Sequence, residues 1–232
     1  MQWTDRTAAH GTIVLGVSGD VGATSLGELR RPVSRYLAQG HLAFVMDLSA
    51  VRYFDWSGIK GLAGLRLPVT GRGGTFGVAG GSSVRRAIVS SRFEHALGLC
   101  PTPGKAVLAC APEPFLRADQ SVCDWCGAVV PTGERVDEIV RDSSAEYPGD
   151  PLLEGARTVV GCGHRHVTAL VEHYGARPYS EVEAWAARVD RVVEDKGESF
   201  SGLPLADAVG LDLGQLRRAL AWRAGHDVSS TA

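Results

Sequence analysis

Between Thr12 and Cys110, short apolar runs alternate with stretches of helical spacing, and no other feature constrains the fold as strongly. Thr12–Ser18 is a brief apolar run bounded by glycines, which reads as a buried strand. Leu26, Leu29, Val33 and Leu37 then recur at helical spacing, with Pro32 marking either a kink or the start of the regular helix. Leu42–Leu48 is too apolar and too short for a surface helix and reads as a central strand. Asp55-Trp56-Ser57-Gly58 opens a second helix that runs to about Arg66, with Ile59, Leu62 and Leu65 on one side. Residues 75–79 read as a strand. Ser82 or Ser83 is placed to cap a third helix, which carries Val84, Ile88 and Leu97 and stops at Gly98. Residues 106–110 complete the series as a last strand. The order β-α-β-α-β-α-β over 11–110 predicts an α/β domain, a sheet with helices packed on it. Pro101, Pro103, Pro112 and Pro114 mark the way out.

Gly58, Gly61 and Gly64 leave a stripe without side chains along the second helix. Each costs roughly 1 kcal/mol of helix propensity relative to alanine, so a close neighbour on that face is expected.

With 232 residues the chain has room for two domains, and its 44% hydrophobic and 22% charged residues suit a core-forming protein. A net charge of -2 gives the whole chain no general attraction to nucleic acid or to a membrane surface. No apolar run approaches the roughly 20 residues that span a bilayer. Residues 1–10 lack the basic-then-apolar order of a secretory signal, so a cytoplasmic protein is expected. Five cysteines, an odd number, argue against a disulfide framework, and Cys100 and Cys110 read as small core residues.

The segment Asp47-Leu-Ser-Ala-Val-Arg-Tyr-Phe-Asp-Trp-Ser-Gly58 resembles the central motif of STAS domains, the family of bacterial anti-sigma factor antagonists. There an apolar strand ends in Asp-Leu, and after a short loop an Asp-x-Ser-Gly element begins a helix. The Ser-Ser-Val-Arg-Arg-Ala-Ile stretch at 82–88 fits the same order, and the resemblance covers about 100 residues. It implies partner switching: a kinase-type anti-sigma factor phosphorylates the serine, here Ser57, and the modified domain lets its partner go. Asp55, Trp56, Ser57 and Gly58 become the expected partner-binding residues. Independently of any family, a serine at a helix start is either an N-cap or a residue where the free amides and the helix dipole favour a phosphate.

In the second half, Cys123-Asp-Trp-Cys126-Gly127 is a turn of the kind that presents two thiolates to one metal. Residues 128–136 read as a hairpin turning at Pro131-Thr-Gly133, and Arg157–Val160 as a strand entering Cys162-Gly-His-Arg-His166 and a helix through Tyr174. Cys162 and His166, four apart, share a face at helical spacing. A Cys3His zinc site of treble-clef or zinc-ribbon type follows, with Cys123, Cys126, Cys162 and His166 as ligands and His164 as the alternative fourth. Four protein ligands leave no open position, so the zinc would be structural. Unliganded thiols and a redox Cys-x-x-Cys pair are the competing readings, the latter without the βαβ unit that usually surrounds one.

Beyond it, Ser180-Glu-Val-Glu183 has the form of a capping box opening a helix with Val182, Trp185, Val189 and Val192 on one face, ended by Gly197. Residues 203–222 read as two short helices around Gly210. Their punctuation is compatible with a helix-turn-helix bearing Arg217, Arg218 and Arg223. Seven basic against nine acidic residues over 177–232 favour a plain helical hairpin over a DNA reader, with Leu216 and Leu220 on its packed face.

The sequence therefore predicts an α/β STAS-like domain at 11–110, a smaller zinc-binding α+β module at 120–176, and C-terminal helices at 177–226. With no nucleophile–base pair, phosphate loop or open metal site, the expected role is protein binding, not catalysis. The partner would be an anti-sigma factor or kinase, and DNA the alternative.

Overall fold

A computed structural model describes residues 1–21, 25–112, 116–145, 154–196 and 201–224; Pro114, Gly197 and residues 225–226 lie outside these. The chain divides into two compact units. Residues 1–138 and 158–173 form the first, and residues 139–157 and 174–232 the second.

The first unit opens with β1 (Gln2–Thr7), which pairs antiparallel with β2 (Ile13–Val21). A 3-10 turn over Ser25–Leu29 leads into α1 (Arg30–Ala38), so the regular helix starts two residues before Pro32 and the proline sits in its first turn. β3 (Ala43–Phe54), α2 (Trp56–Thr70), β4 (Thr75–Gly80), α3 (Ser82–Ser90), the short α4 (Glu94–Leu97) and β5 (Leu99–Cys100) follow. The sheet order is β1-β2-β3-β4-β5, parallel from β2 to β5.

Sequential parallel neighbours joined by right-handed crossovers throw their helices onto one face of the sheet. That face carries Ile13, Leu15 and Val17 of β2 with Phe44, Met46 and Leu48 of β3, all buried against Leu29, Val33, Ile59, Leu62 and Leu65. The glycine stripe finds its neighbours here. A Cβ on Gly61 would lie 3.0 Å from Leu26, one on Gly58 would lie 2.6 Å from the Phe54 ring, and one on Gly64 would lie 3.4 Å from the Arg30 guanidinium.

The opposite face holds Val14, Val45 and Ala79 and must be covered by something else. α5 (Pro103–Ala109) does so with Ala106 and Val107. The apolar run at 106–110 is thus helical and not the last strand: Thr102 caps it, accepting from the Lys105 amide, and Pro103 starts it. The last strand of this sheet is β5. α3 also departs from expectation, because Gly81 stands at its N-cap and Ser82 and Ser83 lie inside the helix. Arg92, at φ 57, separates α3 from α4, and Gly98 at φ 62 ends the latter.

Past α5, β6 (Gln120–Val122) pairs antiparallel with β7 (Val129–Pro131). The hairpin therefore turns through Cys123–Gly127, and not at residues 131–133 as its proline and glycine suggested. β8 (Val136–Arg141) pairs with β9 (Ala156–Gly161), and α6 (His164–Gly175) follows.

In the second unit α7 (Glu181–Lys196), α8 (Leu203–Val209) and α9 (Leu213–Arg223) pack through Ala186, Val189, Leu205, Val209, Leu216 and Ala219. Gly210 at φ 64 makes the turn and Asp212 opens α9 with a capping box. Leu216 is 3% exposed but Leu220 is 38% exposed, so the buried edge of α9 runs through Ala219 and not Leu220. At the start of α7 the Glu183 amide donates to the Ser180 hydroxyl, while the Glu183 carboxylate bonds Arg177 and Ser143. The same network holds Asp142, buried, with Arg157 Nε at 2.7 Å and Arg177 Nη1 at 3.2 Å.

Candidate functional site

Two sites emerge in the first unit. One lies where β3 hands over to α2. Asp55 has extended backbone and is the N-cap: its Oδ1 accepts from the amides of Ser57 at 2.9 Å and Gly58 at 3.1 Å. Ser57 is therefore not the cap. It lies one residue into the helix, half-buried, with its hydroxyl donating to the same Asp55 oxygen. Burial alone would raise the Asp55 carboxyl, but the bonds from Ser57 and Gly58 hold it below its ordinary range, so it is a carboxylate at neutral pH. Trp56 is 53% exposed and meets Phe93 edge-on at 5.8 Å, with Tyr53 also exposed nearby in sequence. Gly58 is buried against Phe54 and offers backbone only. The arrangement is a serine hydroxyl at a capped helix start, flanked by exposed aromatic surface.

The other site is a cluster of four donors, from Cys123, Cys126, Cys162 and His166, all within 4.8 Å of one another. Cys123 Sγ lies 3.7 Å from His166 Nδ1, Cys126 Sγ lies 3.9 Å from Cys162 Sγ, and Cys162 Sγ lies 3.0 Å from His166 Nδ1. A tetrahedral zinc with bonds of about 2.3 Å to sulfur and about 2.0 Å to nitrogen needs donor–donor edges of about 3.5–3.8 Å, so the 3.7 and 3.9 Å pairs already stand at that spacing and the 3.0 Å Cys162–His166 pair would open by about half an ångström. Cys162 precedes α6 and His166 lies in its first turn; His164 is not in the cluster. The knuckle is formed locally. Gly127, at φ 76, donates to the Cys123 carbonyl at 2.9 Å, and the Cys123 amide donates to Ala128 O at 2.9 Å. Hydrogen bonding from Cys126, together with the amides of Cys126, Cys162 and Trp125, draws the Cys123 thiol down to about 4 against the effect of burial; the Cys126 thiol is held up by the same pairing. A thiolate at Cys123 is the form a metal takes. Cys110, by contrast, is pushed up to about 11 by burial and packs as a core residue.

Sequence reasoning missed how the knuckle is seated. Asp124 accepts from Thr102 Oγ1 at 2.8 Å and from the Val160 amide at 2.9 Å. The Gly104 amide donates to Asp124 O and the Ala9 amide to Cys126 O, both at 2.9 Å. His173 Nε2 stands 4.0 Å from Asp47 on the sheet, and Arg6 stacks over Trp125. The donor cluster is thus docked onto α5 and the second face of the STAS-like sheet. Of the tail arginines, Arg218 stacks over Trp185 at 4.8 Å and Arg223 Nε lies 2.7 Å from Asp190. Among the described residues no helix is long and apolar enough to cross a membrane.

A sheet parallel from β2 to β5, with α1 to α4 on one face and α5 on the other, and the Asp-x-Ser-Gly start of α2 define an α/β domain. Residues 5–106 match the STAS domain family. Solved structures similar to the chain include an anti-sigma factor antagonist from Mycobacterium paratuberculosis, 28% identical, covering 47% of this chain and 92% of that one with a TM-score of 0.42. Another is the anti-sigma factor antagonist SpoIIAA in its unphosphorylated form, 15% identical, covering 44% and 89% with a TM-score of 0.36. No curated protein matches.

Proposed function

We propose that the chain is a partner-switching regulator whose STAS domain binds an anti-sigma factor or kinase and releases it when Ser57 is phosphorylated. The observation that carries this reading is the Asp55 cap: it sets the Ser57 hydroxyl at a helix start beside a Trp56 that is 53% exposed. Phosphorylation adds about -1.5 to -2 charges. The dipole of α2 tolerates that charge, whereas a partner docked over Asp55 and Trp56 would meet two negative groups side by side. The domain stays folded and the complex weakens. Asp55, Trp56 and Ser57 form the contact surface in this reading, with Trp56 the aromatic anchor and the buried Gly58 beneath them letting α2 pack on Phe54.

The same proposal assigns a structural zinc to Cys123, Cys126, Cys162 and His166. Bound there, the metal would fix the knuckle to the start of α6, and with four protein ligands it would have no vacant position for chemistry. Incubating the chain with a kinase-type anti-sigma factor and ATP, then mapping the modified residue, tests the switch. Phosphate on Ser57 and none on the Ser57→Ala variant is the expected result; modification elsewhere, or none, contradicts it. Metal analysis of reductively purified protein should find about one zinc per chain, and a metal-free protein contradicts that half.

A further inference from the structure

A divalent ion held by three thiolates and a neutral imidazole carries a net charge of -1. Such a charge, partly withdrawn from water, is costly unless an opposite charge stands close by. None of the four ligands supplies one. Arg6, on the sheet, does.

β1 pairs with β2 so that Arg6 lies opposite Val14, and Val14 opposite Val45. Arg6 therefore projects from the second face of the sheet, the face on which the knuckle is seated. Its guanidinium lies 4.2 Å from the centre of the Trp125 ring, and Trp125 stands between the two knuckle cysteines. The charges that act on it are Asp47, Cys126 and Cys123. Among the described residues its Nη2 is buried without a hydrogen-bond partner. Burial disfavours the charged guanidinium and lowers its pKa, although arginine remains a cation. A half-buried cation with an unused donor, stacked on the residue between two metal ligands, is costly by itself, and the charges that offset that cost are Asp47 and, when ionised, the thiolates of Cys126 and Cys123.

We propose that Arg6 is the counter-charge of the metal centre: a residue of the first strand of the STAS domain that neutralises the Cys3His site from outside its ligand shell and sets its affinity for a divalent metal. The inference rests on the zinc reading of the four donors. It makes Arg6 a positioning residue, acting through charge on Cys123 and Cys126 and through its stack on Trp125. Residues of this kind, one shell beyond the ligands, typically change metal affinity 10–100-fold when removed.

The test is a zinc titration of the full chain against a chromogenic chelator, with cobalt absorption as a separate report on the ligand set. Arg6→Met keeps an unbranched apolar stem against Trp125 and removes the charge; Arg6→Lys keeps the charge. We expect Arg6→Met to bind zinc about 10–100-fold more weakly while its cobalt form retains the thiolate spectrum of the wild type, and Arg6→Lys to recover most of the loss. Wild-type affinity in Arg6→Met overturns the proposal. So does an equal loss in both variants, which would assign Arg6 to packing alone. Should Arg6→Met fail to fold by circular dichroism, Arg6→Gln is read by the same criteria. A wild type that binds neither zinc nor cobalt fails the metal reading itself. A wild type that binds both, with Arg6→Met unchanged, fails only the inference about Arg6.

Discussion

Replacing Gly104 with alanine sets two opposed effects against each other in α5. Gly104 is the second residue of the helix, where alanine should gain up to about 1 kcal/mol in propensity. The added Cβ, however, would run into the Cys123 carbonyl oxygen and lie 2.7 Å from both C and Cα of Asp124. Carbon atoms in contact sit about 3.5–4.0 Å apart, so the knuckle backbone would have to retreat by about 1 Å. These are backbone atoms held at both ends, and no side chain can rotate out of the way. Overpacking of this kind costs about 1–3 kcal/mol. The retreat also strains the bonds from the Gly104 amide to Asp124 O and from Thr102 Oγ1 to Asp124 Oδ1, each worth about 1 kcal/mol. The clash should win, leaving Gly104→Ala destabilised by about 1–3 kcal/mol net of propensity, with weaker zinc binding because Cys123 and Cys126 move with the knuckle. Gly133→Ala, where a Cβ meets nothing within 4 Å, is the control. Urea unfolding with and without zinc measures both effects. A Gly104→Ala protein as stable as wild type, with unchanged zinc affinity, would refute the docking argument.

Other outcomes follow from the second unit and the switch. Burial alone would raise Asp142, but Arg157, Ser144 and Arg177 hold its carboxyl below the ordinary range. Its contribution is therefore complete above an unfolded value of about 3.9 and is lost as pH falls through the lower folded value. Asp142→Asn should cost about 3–5 kcal/mol at neutral pH and flatten the acid limb of stability; hydrogen exchange of α7 between pH 2 and 7 checks both. Leu216→Ala should cost about 2–4 kcal/mol, and the more exposed Leu220→Ala clearly less, in matched urea melts. Asp55→Ala should cost about 0.5–2 kcal/mol by uncapping α2, seen as a lower midpoint with the fold retained.

The alternation of strands and helices was legible because buried strands of a parallel sheet are short, continuous apolar runs, as at Leu42–Leu48. The same signal misled at residues 106–110, where Ala-Val-Leu-Ala-Cys is equally short and apolar. The information that resolved it lay just upstream, in a threonine cap followed by Pro103. β1 escaped notice because it is an edge strand of mostly exposed residues, paired on one side only. A turn does form at Pro131–Glu134, but the strands that pair, β6 and β7, are joined through Cys123–Gly127. The convergence of Cys123, Cys126, Cys162 and His166 was legible from spacing, whereas Ser57 was singled out through the STAS resemblance and its place at a helix start. The metal-site neighbours Arg6, Asp47, Thr102 and His173 were not legible, because they reach the knuckle through the fold and no local pattern announces them.

The central claim is that charge on Ser57 decides whether a partner stays bound. Its most direct measurement is the affinity of one purified anti-sigma partner for three folded proteins, wild type, Ser57→Ala and Ser57→Asp, compared by calorimetry with Trp56→Ala as the surface control. The account predicts tight binding by the wild type and Ser57→Ala, and weakened binding by Ser57→Asp and Trp56→Ala with unchanged melting curves. Equal affinity across all four proteins would contradict it and reduce Ser57 to a hydroxyl that braces the Asp55 cap.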